Sequence, residues 1–277
     1  MTPRHTLGLI GLLLGALVLP VSGRQDPLPV LPHETFTIAS RALGETRRIN
    51  VYTPPGYAAA AGTRYPVLYM PDGGLEEDFP HVIRTVDDAI RTGEMRPVIV
   101  VGIENTERRR DMTGPTEVES DRKIAPHVGG SAIFRAFIRD ELMPDIRRRV
   151  RGTGETGIIG ESLAGLFIVE TFLLEPSMFD HYIAFSPSLW WNHEALLAGA
   201  AARLKAMPAR PTSLYLSGGG DDDINNENER LVAALKTSAP ATLAWSYEPM
   251  PGEKHSTIYL AASPVALRKT FASVLKR

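Results

Sequence analysis

Residues 157–167 read GIIGESLAGLF: a short apolar run, a glycine, an acid and a serine, then small residues leading into a longer apolar stretch. The run before the serine has the character of a buried strand, and the stretch after it, LAGLFIVETFLLEP, carries apolar residues at the three- and four-residue spacing of a helix. A serine at such a junction fits a nucleophile elbow, a sharp strand-to-helix turn that lifts Oγ above the sheet. The turn needs small neighbours, because strand and helix approach closely on both sides of it. Gly160 and Ala164 supply them, with Gly165 next. The pattern departs from G-x-S-x-G at its fifth position, where alanine still permits close packing. A glycine, a serine and a small residue at this spacing often arise by chance, so the reading rests on context: strand before, helix after, acid and histidine later in the chain.

Outward from the elbow, the same alternation continues. Short apolar runs recur at 66–70, 97–103, 182–186, 213–217 and 242–247, as expected of strands buried on both faces of a mostly parallel sheet. Upstream, ETFTIAS and TRRINVYTPP alternate polar and apolar residues around LGE, which predicts an antiparallel pair at the start of the sheet. Amphipathic segments at 81–94, 131–150, 163–176, 192–207, 226–238 and 263–277 separate the runs as helices. The order predicts one three-layer α/β domain over residues 34–277, with a mostly parallel sheet and helices on both faces. Residues 104–130 form the longest irregular piece, too long for an ordinary connection, and are expected to be a lid or active-site loop.

The first residues fall outside this domain. Arg4 and His5 precede an apolar run, Leu7 to Val21, and Ser22 and Gly23 then offer a small-residue cleavage site, so residues 1–23 are expected to be a secretory signal peptide and 24–33 a proline-rich linker. The run is shorter than a bilayer span and is broken by Gly11 and Gly15, which argues against an uncleaved anchor. The expected location is therefore periplasmic or secreted. Cysteine is absent from the 277 residues, which excludes disulfides, thiolate nucleophiles, cysteine metal sites and lipoprotein anchoring. A net charge of -2, with no basic run interleaved with aromatics, gives no footprint for nucleic acid and leaves small molecules as the expected partners.

A serine hydroxyl attacks at neutral pH only when a base takes its proton. Of the seven histidines, His5 and His33 lie outside the domain, His81 and His127 precede the serine, and His181 and His193 read as surface or helix-end residues. His255, in a loop after the last predicted strand, stands where this architecture puts its base. The orienting acid is expected after the preceding strand, where Asp221, Asp222 and Asp223 follow a run of glycines. Asp222 is favoured and Asp223 is the near alternative, some of the run serving instead to cap the next helix. The developing oxyanion needs donors. One is the backbone N–H of Leu163; Gly73 or Gly74, in the PDGG that follows the 66–70 run, is expected to supply the other.

Taken together, GESLAGLFIVETFLLEPSMFDHYIAFSPSLWW, PVLYMPDGG, VVGIENTERRRD and FIRDELMPDI resemble the esterase family of α/β-hydrolases that includes the enterochelin (enterobactin) esterases, and are similar to its periplasmic branch. The resemblance runs from about Glu34 onward. It implies an α/β-hydrolase fold with Ser162 and His255 as catalytic pair, in a family where the acid is poorly placed or missing in some members. It also implies a substrate-binding role for Arg108, which matches the family's arginine, and for Trp190 and Trp191 as an aromatic wall. The implied chemistry is a two-step ester hydrolysis on siderophore-type or other bulky esters, with no metal or organic cofactor. Acyl transfer to an alcohol and a catalytically silent binding protein are the alternatives.

Overall fold

In the computed structural model, which describes residues 30–220 and 225–273, eight strands form a single sheet in the order β1-β2-β4-β3-β5-β6-β7-β8. The hairpin of β1 (Glu34–Ser40) and β2 (Glu45–Tyr52) is antiparallel, as the alternation predicts, and β2 runs antiparallel to β4 (Ile99–Ile103). From β4 onward the pairs are parallel, through β3 (Tyr65–Pro71), β5 (Gly152–Glu161), β6 (His181–Phe185), β7 (Thr212–Ser217) and β8 (Leu243–Tyr247). β3 and β4 are buried along their whole length, which is why their sequences are continuous apolar runs.

Strand periodicity then sorts the core into two halves. Tyr69, Val101, Ile158 and Ala184 point to one face, under α4 (Ser131–Phe137), α5 (Met143–Arg149) and α6 (Leu163–Leu174). Their neighbours Leu68, Val100, Ile159 and Ile183 point to the other, under α1 (Phe79–Arg91) and α10 (Ile258–Thr270), which pack against each other. This is the expected three-layer architecture. Between α4 and α5 the helix widens at Ile138–Leu142, just before Pro144, which has no N–H to donate. Among the described residues, no helix is long and apolar enough to cross a membrane.

Two segments differ from the periodicity. Residues 192–207 do not form one helix: α7 (Trp191–Ala198) and α8 (Ala200–Lys205) are separate, and Asn192, His193 and Glu194 take φ of 51°, 50° and 58°. Tertiary bonds hold that turn, since the Asn192 amide donates to Asp121 (2.9 Å) and its side-chain oxygen accepts from the Glu117 amide (3.0 Å). The segment 104–130 is also less irregular than expected, with α2 (Arg108–Met112) and α3 (Glu119–Arg122) in it. α2 is fixed to β2 by Arg47, whose Nη1 donates to Asp111 at 2.5 Å, both side chains being wholly buried.

Candidate active site

β5 ends at Glu161 and α6 begins at Leu163, so Ser162 alone makes the turn, with φ 61° and ψ −120°. A non-glycine residue at positive φ costs roughly 1–3 kcal/mol, and neighbouring contacts must hold it there. The Ser162 amide donates to the Phe185 carbonyl (3.0 Å), and its own carbonyl accepts from the amides of Leu166 (2.9 Å) and Ser188 (3.1 Å). A Cβ on Gly160 would lie 2.7 Å from that of Ala164, and one on Gly165 would lie 3.0 Å from the Phe185 carbonyl oxygen. The small residues are therefore dictated by the approach of β5 and β6 to α6. Leu163 opens the helix, so its N–H has no intrahelical acceptor and is available to a bound group.

His255 reaches this serine from the loop between β8 and α10. Its Nε2 lies 3.0 Å from Ser162 Oγ, and Glu161 Oε1 lies 3.0 Å from the same nitrogen. The loop is tied at both ends: the Gly220 amide donates to the Glu253 carbonyl (2.8 Å), and Thr257 Oγ1 accepts from the Lys254 amide (3.0 Å) and donates to Glu253 (2.7 Å). Asp222 and Asp223 lie outside the described residues, as does Asp221. The Glu161 contact was not anticipated. Its residue is visible in the opening motif, but the pairing depends on where a loop about 90 residues later comes to rest.

Beside this pair sits an acid–base cluster built from the ends of β3 and β4. Asp72, at φ 55°, takes the Arg108 guanidinium in a two-point ion pair, Nε to Oδ1 at 2.6 Å and Nη2 to Oδ2 at 2.8 Å. Burial works against the charge of Arg108, but Asp72, with Glu161 and Asp78 behind it, outweighs burial and holds the guanidinium more firmly protonated than usual. Nη1 of Arg108 donates to no described group. Asn105 Nδ2 bridges Asp72 (2.5 Å) and Glu77 (2.8 Å), and burial pushes the Glu77 carboxyl up despite hydrogen bonds from Gly74 and Asn105. Tyr259, on α10, is buried near Asp78, Asp72 and Glu161; burial first, then those charges, drive its phenol well above the ordinary range.

Three sequence expectations are corrected here. The Gly73 amide is occupied by the Ile103 carbonyl (3.0 Å), and a Cβ there would meet Ile103 N at 2.2 Å, so this glycine serves the close approach of β3 and β4. The Gly74 amide donates to Glu77 Oε2 at 2.7 Å, so neither glycine presents a free oxyanion donor. Trp191 is no open wall: it is 4% exposed and its Nε1 donates to the Gly114 carbonyl (2.8 Å). It borders a partly open cavity of about 160 Å³ with Leu166, Glu170 and Leu196. Trp190, 37% exposed, packs against Trp191 with ring centroids 5.8 Å apart and remains available to a ligand. His181 is likewise no surface residue; it is half-buried, with Nδ1 2.7 Å from Ser213 Oγ and Nε2 2.7 Å from Glu155.

Residues 40–258 match the family model described as "Putative esterase". The chain belongs to that family. Among curated relatives it is 32% identical over 196 residues to the ferri-bacillibactin esterase BesA of Bacillus subtilis, covering 63% of this chain and 65% of that protein. It is 29% identical over 164 residues to a siderophore enterobactin esterase of Emericella nidulans, covering 51% and 52%. The chain thus spans less than two-thirds of the length of these relatives. Among solved structures, an IroE-like serine hydrolase from Shewanella oneidensis superposes with a TM-score of 0.80 at 27% identity, covering 87% of this chain and 80% of that one. The family and this neighbour agree with the α/β-hydrolase fold expected from the strand and helix order.

Proposed function

We propose that this protein is a serine carboxylic-ester hydrolase acting through an acyl-enzyme. The observation that carries the reading is the 3.0 Å approach of His255 Nε2 to Ser162 Oγ on a strained strand-to-helix turn. In the proposed reaction Nε2 takes the hydroxyl proton as Oγ bonds to the ester carbon, and the carbonyl electron pair moves to oxygen. The Leu163 N–H receives that oxyanion. The free Nη1 of Arg108 serves as the second donor in place of the two glycine amides, Asp72 aiming it from the other side of the guanidinium. Collapse releases the alcohol, which takes the proton from Nε2, and a water activated by the same nitrogen frees the acid.

The substrate class we infer is siderophore-type or comparably bulky esters. Support comes from the names of the bacillibactin and enterobactin esterases it resembles, and from the exposed face of Trp190. The leader-like residues 1–23, which lie outside the described residues, support a periplasmic or secreted location. The test is hydrolysis of short p-nitrophenyl esters, then of catecholate trilactones, by the parent and by Ser162→Ala and His255→Ala. The parent is expected to turn over both classes and each variant neither. Activity that survives Ser162→Ala would refute the assignment of the nucleophile.

A further inference from the structure

The residue before the nucleophile faces the base, and this contact has a direction. Nε2 of His255 lies 3.0 Å from two oxygens at once, Ser162 Oγ and Glu161 Oε1. While Nε2 carries a lone pair, only the serine hydroxyl can bond to it, and a carboxylate oxygen at 3.0 Å is repelled. Once Nε2 carries a proton, Ser162 Oγ can accept from it and the carboxylate is attracted to the positive ring. The arrangement is therefore complementary to the imidazolium, the state formed when the serine proton moves to the ring. Glu161 is 16% exposed and His255 is 40% exposed, so solvent weakens the attraction without removing it.

We propose that Glu161 is a positioning residue for the base: it stabilises the charge that the His255 ring gains during attack on the ester and holds the charged ring beside Ser162. The inference rests on the serine-esterase reading above. In the step concerned, the Ser162 O–H bond breaks, the Nε2–H bond forms, and the released oxygen pair bonds to the ester carbon. Glu161 takes no proton. Its backbone is fixed by the register of β5 on β6, where Glu161 pairs with Phe185, so its carboxylate approaches the ring from a rigid strand end.

The experiment compares the parent with Glu161→Gln, which keeps the shape and loses the charge, and Glu161→Asp, which keeps the charge and shortens the reach. Three quantities are read: kcat and KM for p-nitrophenyl butyrate, the rate at which a p-nitrophenyl alkylphosphonate modifies Ser162, and the melting temperature. For Glu161→Gln, kcat and the phosphonylation rate are expected to fall together by roughly ten- to hundredfold, the range for a partly solvated charge pair. KM is expected to stay within about twofold and the melting temperature to hold, because uniform binding and packing are untouched. Glu161→Asp is expected to recover part of both rates. If Glu161→Gln does not fold, Glu161→Ser, which also removes the charge, replaces it. Unchanged kcat in the uncharged variant would overturn the inference, as would equal losses in the uncharged variant and Glu161→Asp. A parent inert to both ester and phosphonate would overturn the esterase reading itself, and this inference with it.

Discussion

Asp111→Ala separates what holds the site's framework from what performs its chemistry. Arg47 and Asp111 are both 0% exposed and meet at 2.5 Å, joining β2 to α2. Removing one partner of a buried pair costs about 3–5 kcal/mol, because the other charge is left without compensation. Here compensation is incomplete rather than absent: Arg47 still donates to Glu45 (2.9 Å), Thr106 (2.8 Å) and the Glu104 carbonyl (2.9 Å). The expected loss is therefore near the lower end, about 3 kcal/mol, which for a domain of this size lowers the melting temperature by roughly 6–12 °C. Urea unfolding followed by circular dichroism measures it. Arg47→Met combined with Asp111→Leu should recover most of the loss, since two apolar side chains replace two desolvated charges. Since Arg108, the proposed second oxyanion donor, opens the same short helix, Asp111→Ala should also lower kcat more than it raises KM. A loss below about 1 kcal/mol would refute the claim that this pair anchors α2.

The same network predicts a pH dependence. Burial pushes the Glu45 carboxyl up, but hydrogen bonds from Arg110, Thr106 and Arg47 outweigh it and bring the group from 4.5 to about 2. A folded value below the unfolded one means that its stabilisation is complete above pH 4.5 and is lost as the pH falls toward 2. The gap in urea midpoint between parent and Glu45→Gln should thus be wider at pH 6 than at pH 3; a constant gap would contradict the assignment. The two tryptophans should also part company. Trp191→Ala empties a packed site and should cost about 3–5 kcal/mol, whereas Trp190→Ala should cost under about 1 kcal/mol and raise KM for bulky esters alone. The reverse order, measured by the same unfolding and kinetics, would place the wrong ring at the surface.

Much of this architecture was legible because its central strands leave no choice. A continuous run such as PVLYM or IVVGI, bounded by turn residues, has both faces to bury and can do so only inside a covered sheet. The elbow was legible for a similar reason, since its small residues are required by a close approach that starts and ends within six positions. What stayed hidden was set by tertiary partners. The left-handed turn at 192–194 carries a helical pattern, and bonds to Asp121 and Glu117 override it. Gly73 and Gly74 have the composition of an oxyanion loop, and Ile103 and Glu77 already hold their amides. No periodicity announces that.

The remaining step concerns why residues so far apart in sequence converge. Asp72 follows β3, Arg108 follows β4, Ser162 follows β5, and His255 lies in the loop after β8; all therefore emerge at the same end of the parallel strands, His255 reaching back across β6 and β7. Register sets their spacing. Pro71 is level with Ile103, so Asp72 and the start of the Arg108 segment leave the sheet side by side, and their ion pair follows from strand pairing. Glu161 is level with Phe185, whose carbonyl holds the Ser162 amide, so the same register that forces the elbow also aims the preceding carboxylate. A one-residue slip of β5 would turn the Glu161 side chain to the other face. The buried, unbroken strands that give the domain its stability are in this way the device that fixes the 3.0 Å contacts at His255.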